Sequence, residues 1–336
     1  MTRPVRTLLM LGAGAWGTAL AISMARAGTR VLLWGRNREQ LVELAATREN
    51  RRYLPGIPLP GAIEVIPDLA LLPAAVDTAV LATPLQTTRE SVGRLASSGV
   101  RRFVCTAKGI ESGSRLLVHE IVSSTGIRPD DIAIVSGPSF AREVAEGRPT
   151  ALTVAATDTA FGDDLCASLH SAVLRPYATT DVTGVAVGGA VKNVLAIAAG
   201  IADGLALGAN SRAALITRGL AEMARFGVAL GGRHETFMGL AGLGDLVLTC
   251  TDDQSRNRRF GKALGQGTSV GDALAAIGLV EGIPTAEAVM ARAAQVGVEL
   301  PICAQVARTL SGACSASEAV SALMMRDLRP EGRGLV

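Results

Sequence analysis

Gly12-Ala13-Gly14-Ala15-Trp16-Gly17 decides how the first half of this chain folds. The apolar run Val5 to Leu11 precedes it, and Ala15 to Ala27 follows with helical character. A GxGxxG pattern carries weight only between a strand and a helix, and here it has both. Gly12 permits the tight turn, Gly14 lets the backbone approach a pyrophosphate, and Gly17 lets helix and strand pack closely. The helix start at Ala15 and Trp16 offers unpaired N–H groups and a positive dipole end to phosphate oxygens. A dinucleotide-binding unit is expected.

The end of the next strand indicates which dinucleotide. Arg30 to Trp34 reads as that strand, and it closes Leu33-Trp34-Gly35-Arg36-Asn37. An NAD-selective site usually places Asp or Glu about 20 residues on, against the ribose 2′-hydroxyl. Here no acid stands at that point. Arg36 suits a 2′-phosphate and an adenine face instead, so NADP(H) is expected to be preferred, with NAD(H) as the second cofactor.

Outward from the glycines, strand-like and helix-like segments alternate. A helix is expected over Asn37 to Thr47, followed by a Pro-rich loop from Leu54 to Pro60. Further strands are expected at 79–82, 103–107, 132–135 and 151–155, with an edge strand at 173–178. This is the pattern of an α/β Rossmann domain, a doubly wound and mostly parallel sheet. After Thr180 strand signals vanish. Helical patterns take over at 188–202, 212–228, 285–296 and 301–310. The expected division is therefore 1–180 for NAD(P) binding and 181–336 for an all-α substrate and catalytic domain, which would bring Lys192 to the cleft between them.

Bulk properties narrow the function. A net charge of +3 over 336 residues gives no electrostatic support for nucleic-acid or membrane-surface binding. The five cysteines are scattered, with no CxxC pair, and the three histidines are isolated. No metal site and no disulfide framework is expected, and a reducing, cytoplasmic compartment is. Arg3 and Arg6 before the apolar stretch Leu8 to Ile22 imitate a secretory signal, but glycines at fixed offsets are poor for that role. The other long apolar stretch, Val182 to Ile201, carries Lys192 and Asn193 at its middle and falls short of a membrane span. Apolar helical domains of this kind often dimerise, so a homodimer is compatible with the sequence.

Only three of the 33 Lys and Arg residues are lysines: Lys108, Lys192 and Lys262. A lysine can give up its proton when its pKa is lowered, whereas a guanidinium effectively cannot. Lys192 sits among small and apolar residues in Gly188-Gly189-Ala190-Val191-Lys192-Asn193, and Lys108 closes Cys105-Thr106-Ala107-Lys108-Gly109. Both placements suit active-site lysines, against the alternative of stems that snorkel to the surface.

Three more segments carry polar chemistry. Ser136-Gly137-Pro138-Ser139-Phe140-Ala141 lies between a strand and a helix, and reads either as a ligand-binding loop or as a capped helix start. Gly239-Leu240-Ala241-Gly242-Leu243-Gly244-Asp245 places one carboxylate behind small residues. Ser255, Arg256 and Asn257 at a helix start form a phosphate cradle or, the commoner case for such a pattern, an exposed, acid-capped helix with a basic first turn.

Together these segments strongly resemble bacterial-type NAD(P)-dependent glycerol-3-phosphate dehydrogenase over nearly the whole chain. The resemblance rests on GAGAWGTALA at 12–21, WGRN at 34–37, AKG at 107–109, SGPSFA at 136–141, GGAVKN at 188–193 and GLAGLGDLVLTCTDDQSRNRRFG at 239–261. It implies a helical C-terminal domain of the 6-phosphogluconate dehydrogenase type. It also implies reversible reduction of dihydroxyacetone phosphate to sn-glycerol 3-phosphate for phospholipid synthesis. Carried over by position, Lys192 matches the family's proton donor and acceptor. Lys108, Gly137, Ser139, Asp245, Ser255, Arg256 and Asn257 match substrate contacts. Ala15, Trp16, Arg36, Lys108, Ala141 and Arg256 match cofactor contacts. The family usually reads Val-Val-Glu-Gly or Val-Ala-Glu-Gly where this chain has Gly278-Leu279-Val280-Glu281-Gly282, so Leu279 and Glu281 are carried over as cofactor contacts across a loop one residue shorter. Two rival readings remain: an NADP-dependent 3-hydroxyacid dehydrogenase of related architecture, and a non-catalytic NADP(H)-responsive regulator.

Overall fold

The computed structural model describes residues 7–327, so Arg3, Val5 and Arg6 lie outside the described residues. The chain divides into two compact units. The first runs through Ala107 and resumes over Val118–Val182, and the second comprises Lys108–Leu117 and the chain from Thr183 onward. Lys108 thus belongs to the second unit although it precedes residue 180. Its segment leaves the sheet after the fifth strand and closes on itself through a bridge between Ile110 and Leu117, both buried.

In the first unit eight strands form one sheet: β1 (Thr7–Leu11), β2 (Arg30–Trp34), β3 (Ile63–Val65), β4 (Thr78–Leu81), β5 (Arg102–Cys105), β6 (Ile132–Ser136), β7 (Thr150–Ala156) and β8 (Leu174–Thr179). Their order is β3-β2-β1-β4-β5-β6-β7-β8. Neighbours run parallel except β6 and β7. The helices are α1 (Ala15–Arg26), α2 (Arg38–Thr47), α3 (Thr88–Ser97), α4 (Val118–Ser123), α5 (Ala141–Glu146) and α6 (Thr159–Leu169). Strands buried on both faces need near-continuous apolar runs, which is why β4 (Thr-Ala-Val-Leu) is buried at every position. The connections reverse direction between β1 and β4, the place where ligands bind in open α/β sheets. Leu8 to Ile22, the stretch that imitates a secretory signal, is β1, the glycine turn and most of α1, with both elements in the core.

Several elements differ from the sequence reading, among them β3 and the helix expected at 188–202. β3 is three residues inside a Pro- and Gly-marked loop, too short to show alternation, and it pairs with β2. The helix read over 188–202 runs over Val182–Gly204, α7. Its glycines look like interruptions, yet they are where neighbours approach: a Cβ on Gly188 would lie 2.4 Å from the Ala241 carbonyl oxygen, and one on Gly200 2.0 Å from that of Arg258. Close packing here overrides local propensity.

The second unit is helical: α7, α8 (Gly208–Ala229), α9 (His234–Met238), α10 (Asp245–Thr251), α11 (Arg256–Gly265), α12 (Val270–Ile277), α13 (Gly282–Gln295), α14 (Pro301–Leu310) and α15 (Ala316–Met324). A π-helical turn, Leu240–Gly244, joins α9 to α10. By length and hydropathy α7 could cross a membrane, but its apolar window is wholly buried within the protein, the placement of a core helix. Gly261 and Gly265 of α11 meet the carbonyls of Ile197 and Ile201, so both helices use glycines four apart to bring backbones together.

Candidate active site

The glycine turn of the first unit is built for close backbone approach. Gly12 holds φ +124°. A Cβ there would lie 2.4 Å from the Ala82 carbonyl oxygen, and one on Gly17 1.9 Å from that of Gly12. A Cβ on Gly14 would meet nothing within 4 Å, leaving open space where a pyrophosphate has to approach. α1 begins after Gly14 with no side-chain cap and no acid in its first turn, so its N–H groups and dipole face that space uncompensated. Ala15 and Trp16 are half-buried there. These features fit the phosphates of a dinucleotide.

Arg36 is exposed between β2 and α2, and Asn37 caps α2 by accepting the Gln40 N–H. At the end of β6, Gly137 has φ +138°, and a Cβ on it would lie 3.0 Å from Leu152 Cα. Ser139 Oγ donates to the Gly137 carbonyl at 2.9 Å, and Ala141 opens α5. The first unit therefore brings together Gly12, Gly14, Ala15, Trp16 and Gly17 as one turn, with Gly137, Ser139 and Ala141 on a second loop.

The second unit collects the charged groups. Lys192, midway along α7, donates to Asp245 Oδ1 at 2.5 Å and to Thr249 Oγ1 at 3.0 Å. Lys108 donates to the other oxygen, Asp245 Oδ2, at 2.6 Å. One carboxylate at the start of α10 is thus shared by two ammonium groups. Asp245 is 1 % exposed and Lys192 7 %, while Lys108 is only partly buried. Thr249 lies one turn after Asp245 and donates its hydroxyl to the Asp245 carbonyl at 2.6 Å, which aims its lone pair at Lys192.

Burial dominates the electrostatics. It pushes the Lys192 ammonium down to about 8; Asp245 opposes this, and the positive charge of Lys108 adds to it. Burial alone would raise Asp245, but the two lysines outweigh it and hold its carboxyl below the usual range. Burial raises Glu281, and Arg256, Lys108 and Lys192 pull it back. Lys108 is therefore the cation that assists the downward shift of Lys192, while Arg256 acts on Glu281. The result is an amine able to change protonation near neutrality, held by fixed partners.

The cradle at α11 is only partly free. Ser255 is the N-cap, its Oγ accepting the Arg258 N–H at 3.2 Å. Asn257 donates to Asn193 Oδ1 at 3.0 Å and accepts the Gly282 N–H at 2.9 Å, so its side chain ties α7, α11 and α13 together. Arg256 is exposed, as is Leu279; Glu281 is partly buried. Thr249 and Asn193 were missed as site residues. Thr249 was visible as the i+4 neighbour of Asp245, and Asn193 as the polar residue beside Lys192 in an apolar helix. The Asn193 amide nitrogen is buried with no hydrogen-bond partner among the described residues. Such a donor is expensive to leave unmet, so a ligand oxygen is its natural acceptor.

Comparison with known proteins gives a consistent result. The family model described as the NAD-dependent glycerol-3-phosphate dehydrogenase N-terminus matches residues 7–162, and that of the C-terminus matches residues 181–321. A protein of Thioalkalivibrio sulfidiphilus named glycerol-3-phosphate dehydrogenase (NAD(P)+) is 51 % identical over 325 residues, covering 96 % of this chain and 98 % of that one. A protein of the same name from Alkalilimnicola ehrlichii is 50 % identical over 330 residues, covering 98 % of each. The crystal structure of glycerol-3-phosphate dehydrogenase from Coxiella burnetii aligns with TM-score 0.90 at 43 % identity, over 96 % of this chain and 99 % of that one.

Proposed function

Because the chain belongs to the NAD-dependent glycerol-3-phosphate dehydrogenase family, we propose that it interconverts dihydroxyacetone phosphate and sn-glycerol 3-phosphate, supplying the latter to glycerophospholipid synthesis. The observation that carries this reading is the Lys192 amine, buried and lowered to about 8, fixed by Asp245 and Thr249 beside Lys108. The reduced nicotinamide cofactor, when bound, supplies a hydride to the ketone carbon.

As that carbon is reduced, negative charge grows on its oxygen and needs a proton or a positive partner. Lys192 gives its proton to that oxygen in reduction and takes it back in oxidation. Lys108 adds a second positive charge, and Asp245 keeps both ammonium groups in one geometry. The exposed Arg256 guanidinium and the free N–H groups at the start of α11 hold the substrate phosphate. Ser255 and Asn257 contact the same phosphate and also keep that helix start in place. Gly137 and Ser139 are assigned as further substrate contacts, and Ala141, Leu279 and Glu281 as cofactor contacts. The turn at 12–17 takes the pyrophosphate, and Arg36 favours NADPH over NADH. The free cysteines suit a cytoplasmic location, and a homodimer fits the apolar helical unit.

The test is NADPH oxidation with dihydroxyacetone phosphate against a panel of 3-oxoacids. Turnover with the phosphate alone supports the proposal. Turnover with a 3-oxoacid and none with the phosphate would replace it with the hydroxyacid reading.

A further inference from the structure

The carbonyl oxygen of Ala13, inside the glycine turn, accepts two side-chain hydrogen bonds from a part of the first unit that the cofactor reading leaves without a role. Asn50 Nδ2 donates to it at 3.0 Å, and Gln40 Nε2 at 2.7 Å. The same Asn50 nitrogen reaches Thr18 Oγ1 in the first turns of α1 at 2.7 Å, and Gln40 Nε2 lies 3.4 Å from Asn50 Oδ1. Asn50 is 2 % exposed, so this amide is part of the interior.

The elements that present the two amides are themselves fixed. Gln40 stands in the first turn of α2, where its N–H is held by the Asn37 cap. Asn50 follows Arg48, a non-glycine residue at φ +55° whose guanidinium donates to the carbonyls of Ile63 at 2.9 Å and Pro60 at 2.7 Å. The Asn50 carbonyl accepts the Leu54 N–H at 2.8 Å, which closes the loop behind it.

In a trans peptide the C=O of Ala13 and the N–H of Gly14 point in opposite directions. Two donors holding that oxygen therefore aim the Gly14 N–H away from α2, and they polarise the peptide so that the N–H is a stronger donor. Gly14 is the residue whose missing Cβ leaves open space.

We propose that Gln40 and Asn50 are positioning residues for the cofactor: they lock the Ala13–Gly14 peptide in the orientation that binds the pyrophosphate, without touching the cofactor themselves. This rests on the dinucleotide reading of the turn. The pyrophosphate is common to both nicotinamide cofactors, so the lock sets affinity for each equally and leaves their ratio alone. The proton-transfer centre around Lys192 is unaffected.

The experiment compares the full chain with Gln40→Met, which keeps length and removes the donor, and Asn50→Ala, which removes the other. Dissociation constants for NADPH and NADH are measured by calorimetry without substrate, alongside thermal melting of the unliganded proteins and steady-state kinetics. Each variant is expected to weaken both cofactors by the same factor, roughly 3- to 10-fold for one hydrogen bond. Saturated kcat and the KM for dihydroxyacetone phosphate should stay within about twofold, a split that general loss of structure does not produce. Gln40→Met carries the test if Asn50→Ala melts early, because Gln40 is only half-buried. Unchanged cofactor affinity in Gln40→Met overturns the proposal, and so does a loss confined to NADPH, which points to the Arg36 loop. If the unsubstituted protein binds neither cofactor, the dinucleotide reading itself fails.

Discussion

The glycine turn at residues 12–17 and the helix pair α7/α11 both depend on glycines, for opposite reasons. At Gly14 a side chain is missing so that something outside the protein has room: a Cβ there meets nothing within 4 Å. At Gly200 it is missing so that the protein itself has room: a Cβ there would lie 2.0 Å from the Arg258 carbonyl oxygen and 2.7 Å from the Lys262 nitrogen. The first arrangement prepares a binding surface from backbone alone. The second lets two helix backbones, α7 and α11, pack in direct contact. A small residue thus marks ligand approach in one unit and core density in the other.

The largest effect is expected where the buried side chain itself is removed. Lys192→Ala should lower kcat by roughly 10²-fold or more, the scale of a lost general acid, while cofactor affinity measured by calorimetry stays unchanged. The pH profile sharpens this. Reduction needs the ammonium, so its kcat/KM should fall as pH rises through about 8, and oxidation needs the free amine, so its kcat/KM should rise through the same point. Lys192→Arg should lose that inflection, because a guanidinium does not titrate there. A variant lacking Lys192 that keeps near-normal turnover would remove α7 from the chemistry.

The two kinds of glycine separate next. Gly14→Ala should leave the melting temperature of the unliganded protein within about a degree while raising cofactor KM roughly tenfold, the equivalent of about 1.4 kcal/mol of lost contact. Gly200→Ala should do the reverse. Overpacking of a filled interior costs about 1–3 kcal/mol, which lowers the melting temperature by several degrees with little change in cofactor KM at low temperature. If both variants lose stability alike, the contrast between the two regions is wrong.

How much of this was visible in the sequence follows the same division. The turn was legible because its glycines are adjacent and sit between a strand and a helix, a local pattern. β2 and α14 were legible down to their end residues, one an apolar run and the other opened by Pro301. Lys192 stood out because lysine is rare in this chain. What pairs with it did not, because Asp245 and Thr249 lie more than fifty residues away and Lys108 more than eighty on the other side. No spacing rule shows that one carboxylate is shared by both lysines. The residues that hold the turn from behind were hidden for a similar reason: Gln40 and Asn50 look like surface polar residues until α2 folds back on Ala13. Asn257, read as a phosphate contact, also donates to Asn193 and accepts from Gly282, a tie that depends on how three helices meet.

A smaller effect is expected at the exposed edge of the first unit. Arg36→Ala should lower the ratio of NADPH to NADH affinity by roughly 3- to 10-fold if Arg36 contacts the 2′-phosphate as proposed, because a charge-assisted bond at a solvated position is screened. Competitive binding of the two cofactors is the measurement. A change shared by both would mean that Arg36 supports the turn and does not select the 2′-phosphate.

The smallest effect tests whether every buried charge in the second unit serves chemistry, as Lys192 does. Glu222 on α8 is 4 % exposed, and its carboxylate accepts the N–H of Ile302 at 2.7 Å and of Cys303 at 3.3 Å. These are the first donors of α14, since Pro301 has none to offer. Burial pushes this carboxyl up to about 7, and the two backbone donors only partly offset it. A raised carboxyl stabilises the fold when protonated. That contribution is fully present below the ordinary value of 4.5 and is lost as pH rises through about 7. Glu222→Gln keeps an acceptor for Ile302 and cannot ionise, so its melting temperature should exceed that of the unsubstituted protein by about 2–4 °C at pH 8, for roughly 1 kcal/mol, and the gap should close toward pH 5. Turnover should not change at either pH. Parallel melting curves across that range would show that the carboxyl does not titrate in the folded protein, and a fall in kcat would give this second buried charge a catalytic connection that its position as a helix cap does not provide.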